Sequence, residues 1–279
     1  MNSSLGERQA DAARPAVGQM LRVWRQRRHL TQLAVAVDTD ISQRHLSFVE
    51  SGRAQPSRAM ILRIAEHLRI PLRERNALLF TAGFAPVYRE RSYDDPELAV
   101  ARQAMERVLK AHEPNPALLV DRHWNLVAAN AALAPMLAPV TDPALVTPPV
   151  NVLRLTLHPA GMAPAIMNLP VVRLHVLDRL RQQVDATADP VLANLLTELS
   201  AYPATNACSE PAHADAESLA AGGHIALPLR IRSGDTVLSF ISTITVFGTP
   251  LDVTLSELAL ETFFPEDAFT AAALAAARG

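Results

Sequence analysis

Residues Leu30 to Pro56, LTQLAVAVDTDISQRHLSFVESGRAQP, constrain this chain more than any other stretch of it. The segment holds two short apolar runs, each opened by a hydroxyl residue able to cap a helix, Thr31 and Ser42. Asp38 to Ile41, between the runs, has room only for a tight turn. Gly52 ends the second run, as a residue free to take positive φ does, and Pro56 opens the next loop. The spacing predicts two helices joined at a fixed angle.

Periodicity supplies the helices that pack around this pair. After Pro15, Val17, Met20, Leu21 and Trp24 fall at i, i+3, i+4 and i+7 and make the buried face of a first helix. Leu33, Ala34 and Val37 are expected to form the inner face of the second, and Leu46 and Val49 that of the third. A fourth helix follows Pro56-Ser57 and buries Ile61, Leu62, Ile64, Ala65 and Leu68. A fifth follows Pro71 with Leu72, Leu78, Leu79 and Phe80. The expectation is an all-α, five-helix bundle that ends near residue 90.

Turning Leu46 and Val49 inward leaves Gln43, Arg44, Ser47 and Phe48 on the outer face of the third helix. Side chains in the first turn of a helix presented this way reach base edges in the DNA major groove. Gln can bond adenine bidentately, and Arg can do the same to guanine. Phe48 is the apolar exception: packing on a thymine methyl, on the fourth helix or on a second copy all stay open. Gln32 opens the second helix, where it can brace Gln43 against the phosphate backbone, and Arg53 in the following loop can touch phosphate. With the capping Ser42, these seven residues form the candidate DNA-contacting set.

The charge distribution agrees with that placement. A net charge of −2 over 279 residues conceals +7 in residues 1–91 and −9 in residues 92–279. Such a split predicts a basic domain that meets a polyanion and an acidic domain with another task, with the boundary in the mixed Ala85–Pro96 segment. With 49% hydrophobic and 19% charged residues, both halves can bury cores. Cys208 is the sole cysteine, so no internal disulfide forms. No apolar run approaches the ~18 residues of a spanning helix, and no signal-peptide core is present; a soluble, cytoplasmic chain without membrane contact is expected. HExxH, GxSxG, a phosphate-cradling glycine loop and a spaced Cys/His set are all missing, so the expectation is a protein that is not an enzyme and needs no cofactor or metal.

Beyond residue 92 the periods mix. Residues 97–111 read as a helix with Leu98, Ala101, Met105, Val108 and Leu109 on one side. Ala117 to Asp121 and Trp124 to Ala129 read as two strands about a turn at Arg122-His123, and Asn130 is expected to cap a short alanine-rich helix. Helices follow at about 171–187 and 190–201. Ile225, Leu227, Leu229 and Ile231 alternate as an edge strand through Pro228. Ser233-Gly234-Asp235 turns into a strand over Thr236 to Phe247, and Leu251 to Phe264 is expected to be a further strand.

TQLAVAVDTDIS and QRHLSFVESGR resemble the second and recognition helices of the Cro/repressor-type, or XRE-family, helix-turn-helix, over residues 17–85. That family usually places glycine in the turn, where this chain has Thr39 and Asp40. PLRERNALLFTAGFAPVY and the chain beyond it resemble the MmyB-like branch, in which this DNA-binding domain precedes a PAS-like ligand-binding domain. The resemblance implies two domains: a helix-turn-helix bundle at 1–91, and at 92–279 an α+β PAS-like domain with an antiparallel sheet. It also implies a ligand-responsive transcriptional regulator whose partners are a double-stranded DNA operator and a fatty-acid-like molecule. The protein would act as a homodimer on a roughly palindromic site. Arg154, His158, Met162, Met167 and Arg173 are the expected ligand-binding residues. The competing expectation is a DNA-binding regulator whose second domain binds a protein partner or only dimerises.

Overall fold

The computed structural model describes residues 16–204, 228–247 and 251–276. Ile225, Leu227, Cys208, His213 and His224 lie outside the described residues. The chain divides into two compact units, Met1–Arg89 and Glu90–Gly279. Arg91 makes its contacts in the second, pairing with Asp252 and Glu97.

The first unit contains α1 (Val17–Arg27), α2 (Gln32–Asp38), α3 (Gln43–Glu50), α4 (Arg58–His67) and α5 (Leu72–Thr81). Three helix starts are capped by hydroxyls: Thr31 accepts from the N–H of Ala34, Ser42 from that of His45 and Ser57 from that of Met60. Leu21, Trp24, Leu46, Val49, Ile61, Ile64, Leu78 and Leu79 close the core. In α2 the inner face differs from expectation. Val35 and Ala36 are buried, whereas Leu33 is 56% and Val37 69% exposed. Residues 33–37 are apolar without a break, so their pattern carries no phase; the Thr31 cap and the packing of Ala36 and Thr39 set it instead.

The turns between these helices use the left-handed region without glycine. His29, Asp40 and Arg69 have φ of 54°, 52° and 50°, whereas Gly52, at φ 77°, and Gly83, at φ 84° after α5, end helices in the usual way. Asp40 therefore takes the glycine position of the turn between α2 and α3. A glycine is required for a different reason at Gly18, where an added Cβ would lie 1.9 Å from the carbonyl oxygen of Val49. That contact lets α1 and α3 approach backbone to backbone.

In the second unit α6 (Ala99–Ala111) leads into β1 (Ala117–Val120) and β2 (Leu126–Ala129). Then come α7 (Val152–Leu157), α8 (Leu169–Thr187), α9 (Pro190–Ser200), β3 (Pro228–Ser233) and β4 (Thr236–Val246). A short α10 (Val253–Ser256), β5 (Ala259–Pro265) and α11 (Ala268–Ala276) complete the described residues. The strands form one antiparallel sheet in the order β2-β1-β5-β4-β3, with Pro228 on an edge strand. Alternation sorts the residues to two faces. Leu118, Val120, Phe263, Phe240 and Ile231 join a core with Leu153, Val172, Val176, Leu180 and Leu195, while Leu119 meets Met105 and Leu258 on the other side.

Two expectations are corrected here. Asn130 makes no side-chain cap; its buried amide instead accepts from the N–H of Ala117 and donates to the carbonyls of Leu109 and Asn115, tying α6 to β1. Ala131–Leu137 is a 3-10 segment because Pro135 interrupts it. Nor is Leu251 to Phe264 a continuous strand: the Asp252 carboxylate accepts from the N–H of Leu255 and starts α10, so pairing begins only at Ala259.

Candidate nucleic-acid interface and cavity

The N-terminal turn of α3 presents the polar residues that the sequence singled out. Gln43 and Arg44 are exposed, Ser47 and Phe48 half-buried, and Arg53 is exposed in the loop beyond. Ser42 serves as the cap. The Arg44 guanidinium carbon lies 5.4 Å from the centre of the Phe48 ring and that of Arg53 lies 5.9 Å from it. Phe48 therefore carries cations on its ring. Gln32 does not reach for Gln43: its amide donates to Glu50 at 2.8 Å.

Glu50 is the pivot of the frame that holds α3. Only 5% exposed, it receives both the Nε (2.6 Å) and the Nη2 (2.8 Å) of Arg25 besides the Gln32 amide. The remaining Nη1 of Arg25 donates to the carbonyl of Leu30 at 2.8 Å. The hydrogen bond to Glu50 outweighs burial and holds the Arg25 pKa above its ordinary value. A buried ion pair of this kind survives because both carboxylate oxygens and all three guanidinium nitrogens have partners. It ties α1, the start of α2 and the end of α3 into one unit. Sequence reasoning missed Glu50 in this role, although an acidic residue on the otherwise apolar flank of α3 was a visible signal.

In the second unit the residues expected to bind ligand do other work. Arg154 grips Glu198 through Nε (2.6 Å) and Nη2 (2.7 Å), and the Tyr202 hydroxyl donates to the same carboxylate at 2.6 Å. Arg154 thereby brings Glu198 down to a pKa of about 2, while burial and that hydrogen bond push Tyr202 up to about 12. His158 packs edge-on against Tyr202 with ring centres 5.1 Å apart. Arg173 donates to the carbonyl of Ser200 at 2.7 Å, and Met162 fills the core. Met167 is half-buried with its sulfur 3.5 Å from Nη2 of Arg232.

A cavity of about 650 Å³ opens elsewhere, between the 3-10 segment after β2, the β3–β4 hairpin and α11. Its walls are small and apolar, with Pro114, Ala132, Met136, Leu238, Phe240 and Leu274 among them, and its charged lining residues are Arg232 and Glu113. None of Arg154, His158, Met162, Met167 and Arg173 lines it. The physical reason is that arginines on α7 and α8 found partners on α9, leaving the hairpin arginine at the cavity. The volume falls in the range of roughly 300–1,000 Å³ typical of small-molecule sites.

A second buried pair had no counterpart in the sequence reading. Arg179 of α8 lies 4.3 Å over the Trp124 ring, its Nη1 stands 3.9 Å from Glu261 of β5, and its buried Nε has no partner. Burial lowers the Arg179 pKa and raises that of Glu261. The signal was present in ALETF, where Glu261 shares the inward face with Ala259 and Phe263. Among the described residues no group of His, Cys, Asp and Glu is placed to hold a metal ion, and no helix is long and apolar enough to cross a membrane.

Comparison with known families agrees with both halves of this geometry. Residues 16–78 match a helix-turn-helix domain, and residues 101–277 match the MmyB-like transcription regulator ligand binding domain. The second match covers more than half of the chain. A search of curated proteins finds no match.

Proposed function

The chain belongs to the MmyB-like transcription regulator ligand-binding family, and on that premise we propose that it reads a DNA operator with α3 as a homodimer under control of a fatty-acid-like ligand. One observation carries the reading: Gln43 and Arg44 stand exposed at the capped start of a helix locked by the Arg25–Glu50 pair, in a half of the chain that is net positive. Gln43, Arg44 and Ser47 meet base edges, and Arg53 meets phosphate. Two copies would read half-sites about one helical turn apart. The apolar cavity with Arg232 at its wall suits an acyl chain with an anionic head. Such a ligand acts by binding the DNA-competent and incompetent arrangements with different affinity.

The test is selection of an operator from random duplex DNA by the full chain, followed by titration of Arg44→Ala. The substitution is expected to cost about 1–3 kcal/mol on the selected site and to relax preference at one position. Unchanged affinity and selectivity would remove Arg44 from the reading set. Native mass spectrometry of freshly purified protein is expected to show a bound lipid. A clean apo mass, with no thermal shift from added fatty acids, would exclude that ligand.

A further inference from the structure

We infer that Phe48 is a positioning residue for base reading: its ring holds the guanidiniums of Arg44 and Arg53, so that ring, not the helix alone, sets how sharply Arg44 selects its base. This rests on the DNA-reading proposal above and goes beyond it in assigning specificity to an apolar side chain.

Arg44 and Phe48 are four residues apart on α3 and so face each other, and both arginines lie within 6 Å of the ring centre, at 5.4 and 5.9 Å. Among the described residues neither guanidinium makes a hydrogen bond or an ion pair; the ring is their contact. An unanchored arginine loses up to roughly 2 kcal/mol of rotamer freedom when it docks on a base. A guanidinium lying on an aromatic ring is attracted through its face, which leaves its five N–H donors free at its edge. Arg25 shows the contrast: three of its nitrogens are taken by Glu50 and Leu30, so it can brace but not read. Phe48 also anchors the loop that carries Arg53, because its carbonyl accepts the N–H of Arg53 at 2.8 Å and of Ala54 at 3.1 Å. Side chain and backbone of one residue thus hold both cations within 6 Å of one ring. A leucine there would bury similar area and offer no ring face.

The experiment uses the full chain and the operator that it selects. The measured quantity is the affinity ratio between that operator and the variant changed at the position whose preference Arg44→Ala abolishes. With a trifluorinated phenylalanine in place of Phe48, which keeps the shape and weakens the ring's hold on cations, the ratio is expected to fall about two- to five-fold at an unchanged melting midpoint. Phe48→Leu is expected to fall further, and Phe48→Tyr to stay at the unsubstituted value. A ratio constant from phenylalanine through the fluorinated ring to Phe48→Leu overturns the inference, as does a loss that is equal on all sequences. Failure of the unsubstituted chain to enrich any sequence sinks the DNA-reading proposal itself, an outcome distinct from these two.

Discussion

Each unit buries an arginine against a glutamate, and the two pairs are satisfied to different degrees. Arg25 meets Glu50 with two parallel bonds of 2.6 and 2.8 Å, and a glutamine and a carbonyl complete the network. Arg179 stops 3.9 Å from Glu261, with a ring beneath it and a buried Nε left over. The same two residue types therefore lock one unit and leave the other with desolvated charge that its geometry does not offset. A reading helix must keep its presentation through many encounters with DNA, which favours the locked form.

The comparison can be broken most directly at Arg25. Arg25→Ala strands the Glu50 carboxylate in the core and is expected to cost about 3–5 kcal/mol, read as a lowered denaturation midpoint for the first unit. A loss below about 1 kcal/mol would mean that the pair is no lock. Gly18→Ala attacks the same frame sterically, since its Cβ would lie 1.9 Å from the Val49 oxygen; overpacking of this kind costs about 1–3 kcal/mol. An unaltered melting curve would show that α1 can step away from α3 freely.

The loose pair predicts a pH dependence of the opposite kind. Burial raises the Glu261 pKa from its ordinary 4.5, so the folded chain keeps a proton that the unfolded chain releases. Stability is full below 4.5 and declines as pH climbs through the raised value. Glu261→Gln should leave the acid side unchanged and flatten that decline; superimposable midpoint–pH curves would count against it. The smallest effect belongs to Glu198, held from 4.5 down to about 2 chiefly by its hydrogen bonds from Arg154. Its contribution is present above 4.5 and fades as pH falls toward about 2. The pair is well exposed, so Glu198→Gln should cost under about 1 kcal/mol at neutral pH, and a larger loss would show that solvent screens it poorly.

The helix-turn-helix unit was readable because its punctuation is local: Thr31, Ser42, Ser57 and Gly52 cap or stop helices by interactions within a few residues. Where the apolar pattern was unbroken, in α2, the face could not be read, and Leu33 and Val37 came out exposed. The β3–β4 hairpin was legible from alternation in β3 and the turn at Ser233-Gly234-Asp235, whereas Asp252 overrode the strand-like residues after it with a single cap. The exposure of Gln43 and Arg44 followed from helix phase alone. The cavity did not, because its walls come from residues 113–139, 231–240 and 273–274, which no local pattern brings together. Arg154 and Arg173 looked available in sequence because their partners, Glu198 and the Ser200 carbonyl, lie on a different helix.

The left-handed turns at His29, Asp40 and Arg69 have an evolutionary consequence. Each holds a side chain where glycine is at ease, at a cost of about 1 kcal/mol relative to a relaxed backbone. For Asp40 and Arg69 the genetic code puts glycine a single nucleotide change away from every codon of either residue. The first unit thus keeps stabilising substitutions within one mutational step and outside α3. A lineage that took them could afterwards tolerate destabilising changes on the exposed face of α3 without losing the fold.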